Sequence, residues 1–352
     1  MDRRRFLGTA AACLSVSRLA TRPNQRRSRT RLILLGTAGG PRPRATRSAP
    51  AQVIVVDDTA YVVDCGDGVS RQLVLAGVPL REVRHIFLTH HHSDHNADYG
   101  NLILLAWAAG LRTPIDTWGP PPLGRMTDLF FQMAAADIAA RTADEKRVSL
   151  RPLVHAHDLR DGGLVMQDAN VRVTAALVHH PPMVPSFAFR FDAPDRSIVI
   201  SGDTTPTERL VALARNADIL VHEALFDAAA VDRLVASVPN ASDLRRSIIS
   251  HRTTAEEAGR VAAAAGVGML VLSHLIPAED PAITDEMWSS AARTHFRGQI
   301  VVGKDLMELE SAGSTPCSDC DRTAAKRIIA ADMDAQCSTP RTAPSPRPKA
   351  ER

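Results

Sequence analysis

The chain has 352 residues, of which 42 are Lys or Arg and 39 are Asp or Glu, for a formal net charge of +3. The charge is uneven, because residues 1–50 hold twelve Arg and one acid (+11), residues 311–352 carry +2, and residues 51–310 therefore carry about −10. A negative middle region, in a chain with only 4% aromatic residues, argues against a nucleic-acid partner, since phosphates need cations and bases need stacking surfaces.

The N-terminus is similar to a twin-arginine export signal. The residues Asp2-Arg3-Arg4-Arg5-Phe6-Leu7-Gly8 precede an apolar stretch from Thr9 to Val16, which is too short to cross a membrane as a helix. The alternative is a basic leader without a targeting role. We expect twin-arginine export and a periplasmic or secreted protein; without export it would be cytoplasmic. No later apolar run reaches spanning length, so no stable membrane span is expected.

Short apolar runs predict three β-strands, at Leu32–Leu35, Val53–Val56 and Ala60–Val63. A further apolar run, 85–88, leads directly into Thr89-His90-His91-His92-Ser93-Asp94-His95. This is the pattern H-x-H-x-D-H on a loop at the end of a strand. Imidazole and carboxylate groups are the ligands expected for zinc and similar ions. The motif therefore predicts a site for two metal ions rather than an exposed polar loop.

Two helical regions are predicted next. Leu102–Leu111 reads as an apolar helix, and we expect its Trp107 to belong to the core rather than to bind substrate. The segment Pro120–Arg147 begins as a Pro-rich loop and continues with apolar residues at helical spacing. It is either a lid or substrate-selecting insert, or a hairpin that only packs on the core.

Further ligand-type residues stand at the ends of later apolar runs. The alternating run 171–178 ends at His179-His180, the β-branched run 197–200 precedes Asp203, and the apolar run 269–272 precedes His274. Loops at the ends of strands collect functional groups on a rigid scaffold. Each residue alone is more often an ordinary loop residue, but together they favour a metal site.

These motifs together resemble the metallo-β-lactamase superfamily of hydrolases over about residues 31–309. Leu35-Gly36-Thr37, Val63–Gly68 and Ser250–Thr254 are similar to motifs of the branch that contains ribonuclease Z and the zinc-dependent arylsulfatases. The resemblance implies an α/β fold, the four-layer αββα sandwich, with the metals at one edge between the sheets. Apolar periodicity alone indicates only an α/β protein with a mixed sheet.

The resemblance also implies two divalent metal ions, with Zn²⁺ expected, although manganese and iron accept the same ligands. Seven ligands are implied: His90, His92 and His180 for one ion, Asp94, His95 and His274 for the other, and Asp203 as a bridge. His180 is preferred over His179 because related motifs place the ligand directly before Gly or Pro, but the sequence leaves both open. Asp64 is expected to hydrogen-bond a ligand histidine and fix its tautomer.

A water shared by two such ions would ionise near neutral pH and attack a phosphorus, sulfur or carbonyl centre. We expect Asp94 to orient this water and accept its proton. By the resemblance, His251 is the candidate that protonates the leaving oxygen or stabilises the anion. The alternative for His251 is a helix-entry residue, because Thr253-Thr254-Ala255-Glu256-Glu257 looks like an N-cap followed by an acidic first turn.

We interpret the chain as a metal-dependent hydrolase of a small ester, with sulfate and phosphate diesters ahead of lactones. Asp203, where the commonest metal-dependent β-lactamases carry Cys, argues against that activity, and His92, where oxygen-reducing di-iron relatives carry Glu, argues against redox chemistry. A ribonuclease Z-like tRNA 3′-processing endonuclease is the alternative; a lactonase or a metal-binding member without turnover is a further one. We expect a small-molecule ester as the partner rather than nucleic acid, and a homodimer is compatible with the sequence.

The chain divides into three predicted parts: a leader at 1–30, one hydrolase domain at 31–310 and a tail at 311–352. The tail is rich in Ser, Thr, Pro and Ala and contains Cys317-Ser318-Asp319-Cys320, without a second C-x-x-C or His pair at zinc spacing. A disulfide in the tail is one alternative. We expect instead a disordered tail, because its composition offers little apolar surface to bury.

Overall fold

The structure, a computed structural model, describes residues 29–236, 238–239 and 241–309. The strands are β1 (Thr30–Gly36), β2 (Ala51–Val56), β3 (Thr59–Val63), β4 (Val83–Phe87), β5 (Ile115–Gly119), β6 (Val154–Asp158), β7 (Gly163–Gln167), β8 (Arg172–His180), β9 (Met183–Asp192), β10 (Ser197–Ile200), β11 (Ile219–Leu225), β12 (Met269–Ile276), β13 (Gln299–Val302) and β14 (Met307–Leu309). The α-helices are α1 (Val69–Leu75), α2 (Ser93–Asn96), α3 (Tyr99–Ala108), α4 (Leu123–Met133), α5 (Ala135–Asp144), α6 (Glu208–Leu213), α7 (Ala228–Val235), α8 (Ala241–Ser250), α9 (Ala255–Ala265) and α10 (Asp285–Arg293).

The strands form two seven-stranded sheets, one in each half of the chain. The first has the order β14-β1-β2-β3-β4-β5-β6, and the second has the order β13-β12-β11-β10-β9-β8-β7. In each sheet the earlier strands pair antiparallel and the later ones parallel. The last strand, β14, returns to the first sheet and pairs antiparallel with β1. Both sheets are therefore mixed, as predicted.

Strand β1 shows why the sheets lie inside the molecule. Leu32 and Leu34 face the core between the two sheets, whereas Ile33 and Leu35 face the core on the outer side of the first sheet. Because successive side chains of a strand point to opposite faces, a strand that is apolar at every position is buried on both sides. Helices cover the outer face of each sheet. The predicted four-layer αββα sandwich is confirmed.

The predicted elements of the first half match the observed ones with small shifts. The three predicted strands lie within β1, β2 and β3. The helix predicted at Leu102–Leu111 is α3, which begins at Tyr99 and ends at Ala108, shortly before Gly110 at φ 98°. Trp107 is buried in the core, as predicted, and its indole donates to the Val148 carbonyl at 2.8 Å.

The segment Pro120–Arg147 forms the helical hairpin of α4 and α5. Phe131 and Ile138 pack against the outer core of the first sheet, whereas Met133 is 76% exposed. The inner face of the hairpin thus fits the packing alternative. The lid alternative stays a prediction that concerns its exposed face.

The predicted leader and tail lie outside the described residues, apart from Arg29 and Thr30. Four of the five cysteines lie there as well, so the division into three parts, the export signal and the tail disulfide stay predictions. None of the described helices is both long and apolar enough to cross a membrane.

Candidate metal centre

The H-x-H-x-D-H segment follows β4 and enters α2, so its side chains gather at one end of the first sheet. Asp64, at the end of β3, fixes the start of this segment. The Thr89 backbone N–H donates to Asp64 Oδ1 at 2.8 Å, and the Thr89 hydroxyl donates to Oδ2 at 3.0 Å. The motif is therefore held by the neighbouring parallel strand and does not depend on the loop alone.

Three histidines and one carboxylate converge in the first cluster, which we call the three-histidine site: His90, His92, His180 and Asp203. His92 Nδ1 lies 2.9 Å from His90 Nε2 and 3.1 Å from His180 Nε2. Asp203 Oδ2 lies 3.6 Å from the Nε2 atoms of both His90 and His180. Bonds of about 2.0–2.1 Å to a tetrahedral ion require ligand atoms roughly 3.3 Å apart, so these spacings suit one ion.

The second cluster, which we call the Asp94 site, contains Asp94, His95 and His274. His274 Nε2 lies 3.3 Å from Asp94 Oδ2, and His95 Nε2 lies 3.6 Å from the same oxygen. His274 comes from β12 of the second sheet and has a positive φ of 47°, in the left-handed region that non-glycine residues rarely adopt. The site therefore joins the two sheets.

Asp203 lies between the two clusters and belongs to the turn after β10. Its Oδ2 is 3.3 Å from His95 Nε2, and its Oδ1 is 3.3 Å from His274 Nε2. Gly202 permits this position, because a Cβ there would come within 2.7 Å of the Phe187 carbonyl, and its φ is 59°. One carboxylate is thus shared by both clusters.

The buried atoms that lack hydrogen bonds test whether these residues suit metal ions. His95 Nε2 and Asp203 Oδ1 are buried and make no hydrogen bond to any residue that the structure describes. A buried polar atom without a partner is unfavourable by about 1–3 kcal/mol. Both atoms point into the clusters, so a cation between the clusters would satisfy them. The residues fit a metal centre.

The protonation states agree with this role. Burial lowers the pKa of His90 and His92, and it lowers the pKa of His180 to about 4, so these imidazoles are neutral at pH 7 and keep a free lone pair. Burial also opposes ionisation of Asp203, but Arg252 and the histidines nearby outweigh it and hold the Asp203 pKa well below its usual range. A divalent ion needs such ligands.

The other ring nitrogens of three histidines are held by hydrogen bonds. His95 Nδ1 lies 2.8 Å from Asp64 Oδ2, which is the contact predicted for Asp64. His90 Nδ1 lies 3.0 Å from the Thr89 hydroxyl, and His180 Nδ1 lies 3.0 Å from the carbonyl oxygen of His251. Such contacts fix the tautomer and the ring orientation of a ligand histidine.

The alternation of β8 separates the two histidines that the sequence left open. His180 is buried in the three-histidine site, whereas His179 is exposed and uses its backbone to bond Thr204 and Thr205. Because neighbouring strand residues point to opposite faces, only one of the pair can reach the cluster. That residue is His180.

His251 lies at the rim of the centre. Its ring is half-buried, 6.2 Å from the ring of His180, and its pKa is lowered by burial and by the positive charge of Arg252. The helix cap predicted for the same segment is present: Thr254 caps α9, and Glu257 completes the capping box. A residue can serve at a helix entry and at an active site together, so both alternatives for His251 fit this position.

Sequence reasoning missed two ionisable residues of the centre, the largely buried Arg252 and the buried Glu223. The Arg252 guanidinium contacts Asp203 Oδ2, lies 3.5 Å from Glu223 Oε2 and lies 3.4 Å from both ring nitrogens of His274. Glu223 stands at the end of β11, and its Oε1 accepts from the Thr204 backbone N–H at 2.6 Å. A signal was present, because His222 and Glu223 interrupt an apolar strand in the same way as the other strand-end residues.

Comparisons with known proteins agree with this geometry. The family described as the metallo-beta-lactamase superfamily matches residues 47–274. Ribonuclease Z of Mycobacterium sp. (strain KMS) is 34% identical over 281 residues, which cover 79% of this chain and 95% of that protein. Human tRNase Z, short form, and YhfI, a metallo-beta-lactamase fold protein from Bacillus subtilis, each have 22% identity and a TM-score of 0.59 over 80% of this chain and 99% of theirs. At that identity the two solved structures support the fold alone.

The relatives overturn the predicted partner. We expected a small-molecule ester rather than nucleic acid, and that prediction is wrong, because the curated relatives are ribonucleases Z. The error came from summing charge along the sequence. The charge count was cut at residue 50, so it left Arg31, Arg42, Arg44 and Arg47 out of the domain, although all four belong to the described fold. Counting these four arginines with residues 51–310 changes the net charge of the domain from about −10 to about −6.

Proposed function

The chain belongs to the metallo-beta-lactamase superfamily, and on this premise we propose that it is a metal-dependent endonuclease of the ribonuclease Z type, which hydrolyses a phosphodiester bond of RNA. The observation that carries the proposal is the 34% identity to a ribonuclease Z over 281 residues. This is the tRNA 3′-processing alternative of the sequence interpretation. The preferred small-ester hydrolase is not supported by the relatives.

The metal-binding roles proposed here follow the two clusters. His90, His92 and His180 would hold one divalent ion, Asp94, His95 and His274 would hold the second, and Asp203 would contact both. The nitrogen-rich ligand set favours zinc. When bound, two such ions supply Lewis-acid activation of water and neutralise charge on the phosphate.

Asp94 is the proposed acceptor for the proton of the attacking water. Burial opposes its ionisation, but His95 and His274 outweigh burial and lower the Asp94 pKa, so the carboxylate is charged at neutral pH. Its Oδ2 accepts from the Gly40 backbone N–H at 3.0 Å. The carboxylate is thereby held in one orientation, with Oδ1 available to accept a hydrogen bond from water.

Two neighbouring residues are proposed to act on the leaving oxygen, one as proton donor and one as a stabilising charge. We assign proton donation to His251, whose half-exposed ring can exchange protons with solvent, and charge stabilisation to Arg252, whose guanidinium stays protonated. Glu223 positions Arg252 through their contact at 3.5 Å. An arginine stabilises an anion but does not release its proton, so the two roles need different residues.

The test is cleavage of a tRNA precursor with a 3′ trailer by the purified full chain loaded with zinc, with bis-aryl phosphate and aryl sulfate tested in parallel. Asp203→Asn is the inactive variant, and Asp192→Asn is the matched control, because Asp192 is a surface residue that pairs with Arg190. We expect cleavage at one position of the precursor, a loss on the order of 10²–10³-fold or more in Asp203→Asn, and no change in Asp192→Asn.

A zinc-loaded chain that leaves the precursor intact while hydrolysing aryl sulfate would contradict the proposal. Cleavage that persists in Asp203→Asn would instead point to a contaminating nuclease. Comparing His251→Ala with the parent chain over a pH range tests the donor, since loss of a proton donor removes one limb of the pH–rate profile.

A further inference from the structure

The loop between β1 and β2 brings arginines to the side of the metal centre. Arg42, Arg44 and Arg47 belong to this loop, and Arg71 comes from α1. Together they line a cavity of about 330 Å³, whose wall also includes Asp94. We call this cavity the arginine pocket.

Hydrogen bonds hold the loop in place relative to the centre. The Gly40 backbone N–H donates to Asp94 Oδ2 at 3.0 Å. Arg47 Nη1 donates to the Thr37 hydroxyl at 2.6 Å and to the Gly303 carbonyl at 2.8 Å. Arg47 therefore serves the framework, while the position of the pocket beside Asp94 is fixed by the fold.

Arg44 is the pocket arginine with a buried nitrogen that lacks a hydrogen-bond partner: its Nε makes no hydrogen bond within the described ranges. Burial and the adjacent positive charge of Arg42 lower the Arg44 pKa, and Glu279 only partly opposes them. The pocket wall also contains two carboxylates, but that of Asp94 is already engaged in the metal centre. A half-buried guanidinium that has an N–H unpaired among the described residues and a positive neighbour would be stabilised by a bound anion.

We propose that the arginine pocket binds a phosphate of the RNA strand next to the phosphate that is cleaved, with Arg44 as the main contact and Arg42 and Arg71 adding charge. This proposal rests on the proposed function. Guanidinium groups bind phosphate oxygens through paired N–H donors, and contacts of this kind position a strand without reading its sequence. Because Asp94 belongs to both sites, one bound strand can occupy the pocket and the metal centre together.

The experiment measures binding of a short fluorescent single-stranded RNA to the full chain after metal removal, over a series of salt concentrations. Arg44→Gln is the main variant, and Arg42→Gln is a second one at an exposed position. Arg172→Gln is the control, because Arg172 is at the far end of β8 from His180. We expect Arg44→Gln to weaken RNA binding about five- to twentyfold and to reduce the slope of log affinity against log salt by about 0.7. Arg42→Gln should weaken RNA binding less, and Arg172→Gln should bind RNA as the parent chain does.

Equal affinity and slope in the parent chain and Arg44→Gln, with equal thermal unfolding, would overturn the proposal. If Arg44→Gln fails to fold, unchanged RNA binding by Arg42→Gln would overturn it. The proposal would also be overturned if Arg44→Gln lost binding to inorganic phosphate but bound RNA as tightly as the parent chain. The pocket would then be a site for free phosphate.

The two proposals fail separately. If the parent chain binds RNA through Arg44 but does not cleave the precursor after zinc is added, the result supports the pocket and contradicts the proposed function. If the parent chain and Arg44→Gln cleave the precursor with the same KM, the result supports the proposed function and contradicts RNA binding at the arginine pocket.

Discussion

The two metal clusters use similar residues in different electrostatic surroundings. The three-histidine site consists of neutral imidazoles, because burial lowers the pKa of His90, His92 and His180. In the Asp94 site, burial is outweighed by the carboxylates of Asp203, Asp64 and Asp94, which raise the His95 pKa. One site is thus ready to accept a cation, whereas the other must first release a proton.

Arg252 further disfavours cation binding at the Asp94 site. Its guanidinium lies 3.4 Å from the ring nitrogens of His274 and contacts Asp203. A fixed positive charge at that distance repels a divalent ion, and buried charges are screened less than surface ones. We therefore expect the three-histidine site to bind its ion more tightly than the Asp94 site. The relative affinity of two metal sites thus depends on the charged groups around the ligands as well as on the ligand types.

The largest effect is expected from removing one ligand of each site. His180→Ala should lose the tighter ion and His274→Ala the weaker one, each with a fall of at least about a hundredfold in affinity at its own site, because the remaining ligands no longer complete the coordination. Zinc content during a chelator titration gives the measurement. Exposed His179→Ala is the matched control for His180→Ala. Equal zinc release from His180→Ala and His274→Ala would contradict the expected difference in affinity between the two sites.

A smaller effect is expected from Asp64→Asn, which weakens the hydrogen bond to His95 Nδ1. We expect the affinity of the Asp94 site to fall about tenfold or somewhat more, with the three-histidine site unchanged. The reason is that Asp64 contacts His95 directly, whereas its link to His90 runs through the Thr89 hydroxyl. Asp58→Asn, in the turn between β2 and β3, is the control. Weakening of both sites in the chelator titration would mean that Asp64 acts through the whole Thr89 segment instead.

Arg252→Gln should raise the affinity of the Asp94 site about tenfold, since a repelling charge is removed, while kcat for RNA cleavage falls. Opposite signs for metal affinity and turnover distinguish this role from a structural one. Arg246→Gln, on the exposed face of α8, controls for a change of charge in the same region. Weaker metal binding by Arg252→Gln would show that the arginine supports the site and would refute the ranking of the two clusters.

The smallest effect concerns pH and the buried His222, next to Glu223. Burial lowers its pKa to about 4, so the unfolded chain takes up the proton first as the pH falls below 6.5, and stability declines from there towards pH 4. In the metal-free parent chain the free energy of unfolding should fall between pH 7 and pH 5.5, and in His222→Leu this fall should be smaller by about 1 kcal/mol. Urea unfolding at the two pH values measures it. An unchanged pH dependence would show that His222 does not titrate in this range.

Several features follow from the sequence alone. The H-x-H-x-D-H spacing, the Asp after β10 and the His in β12 all stand at or near the ends of apolar runs, and a strand delivers such residues to one edge of a sheet wherever its partners lie. The same apolar runs, buried on both faces, indicate sheets covered by helices. The candidate ligands and the layered fold are therefore local properties, which sequence spacing can express.

Other features depend on where distant segments meet. Which of His179 and His180 faces the centre depends on the register of β8 against its neighbours, and the contact of Arg252 with Glu223 joins residues 29 positions apart. Likewise, Arg44 lies near Asp94 because hydrogen bonds tie the β1–β2 loop to distant parts of the fold, although the charge sum counted Arg44 with the basic residues 1–50. Charge summed along the chain predicted the wrong partner, since electrostatic interactions depend on distance in space rather than on distance along the sequence.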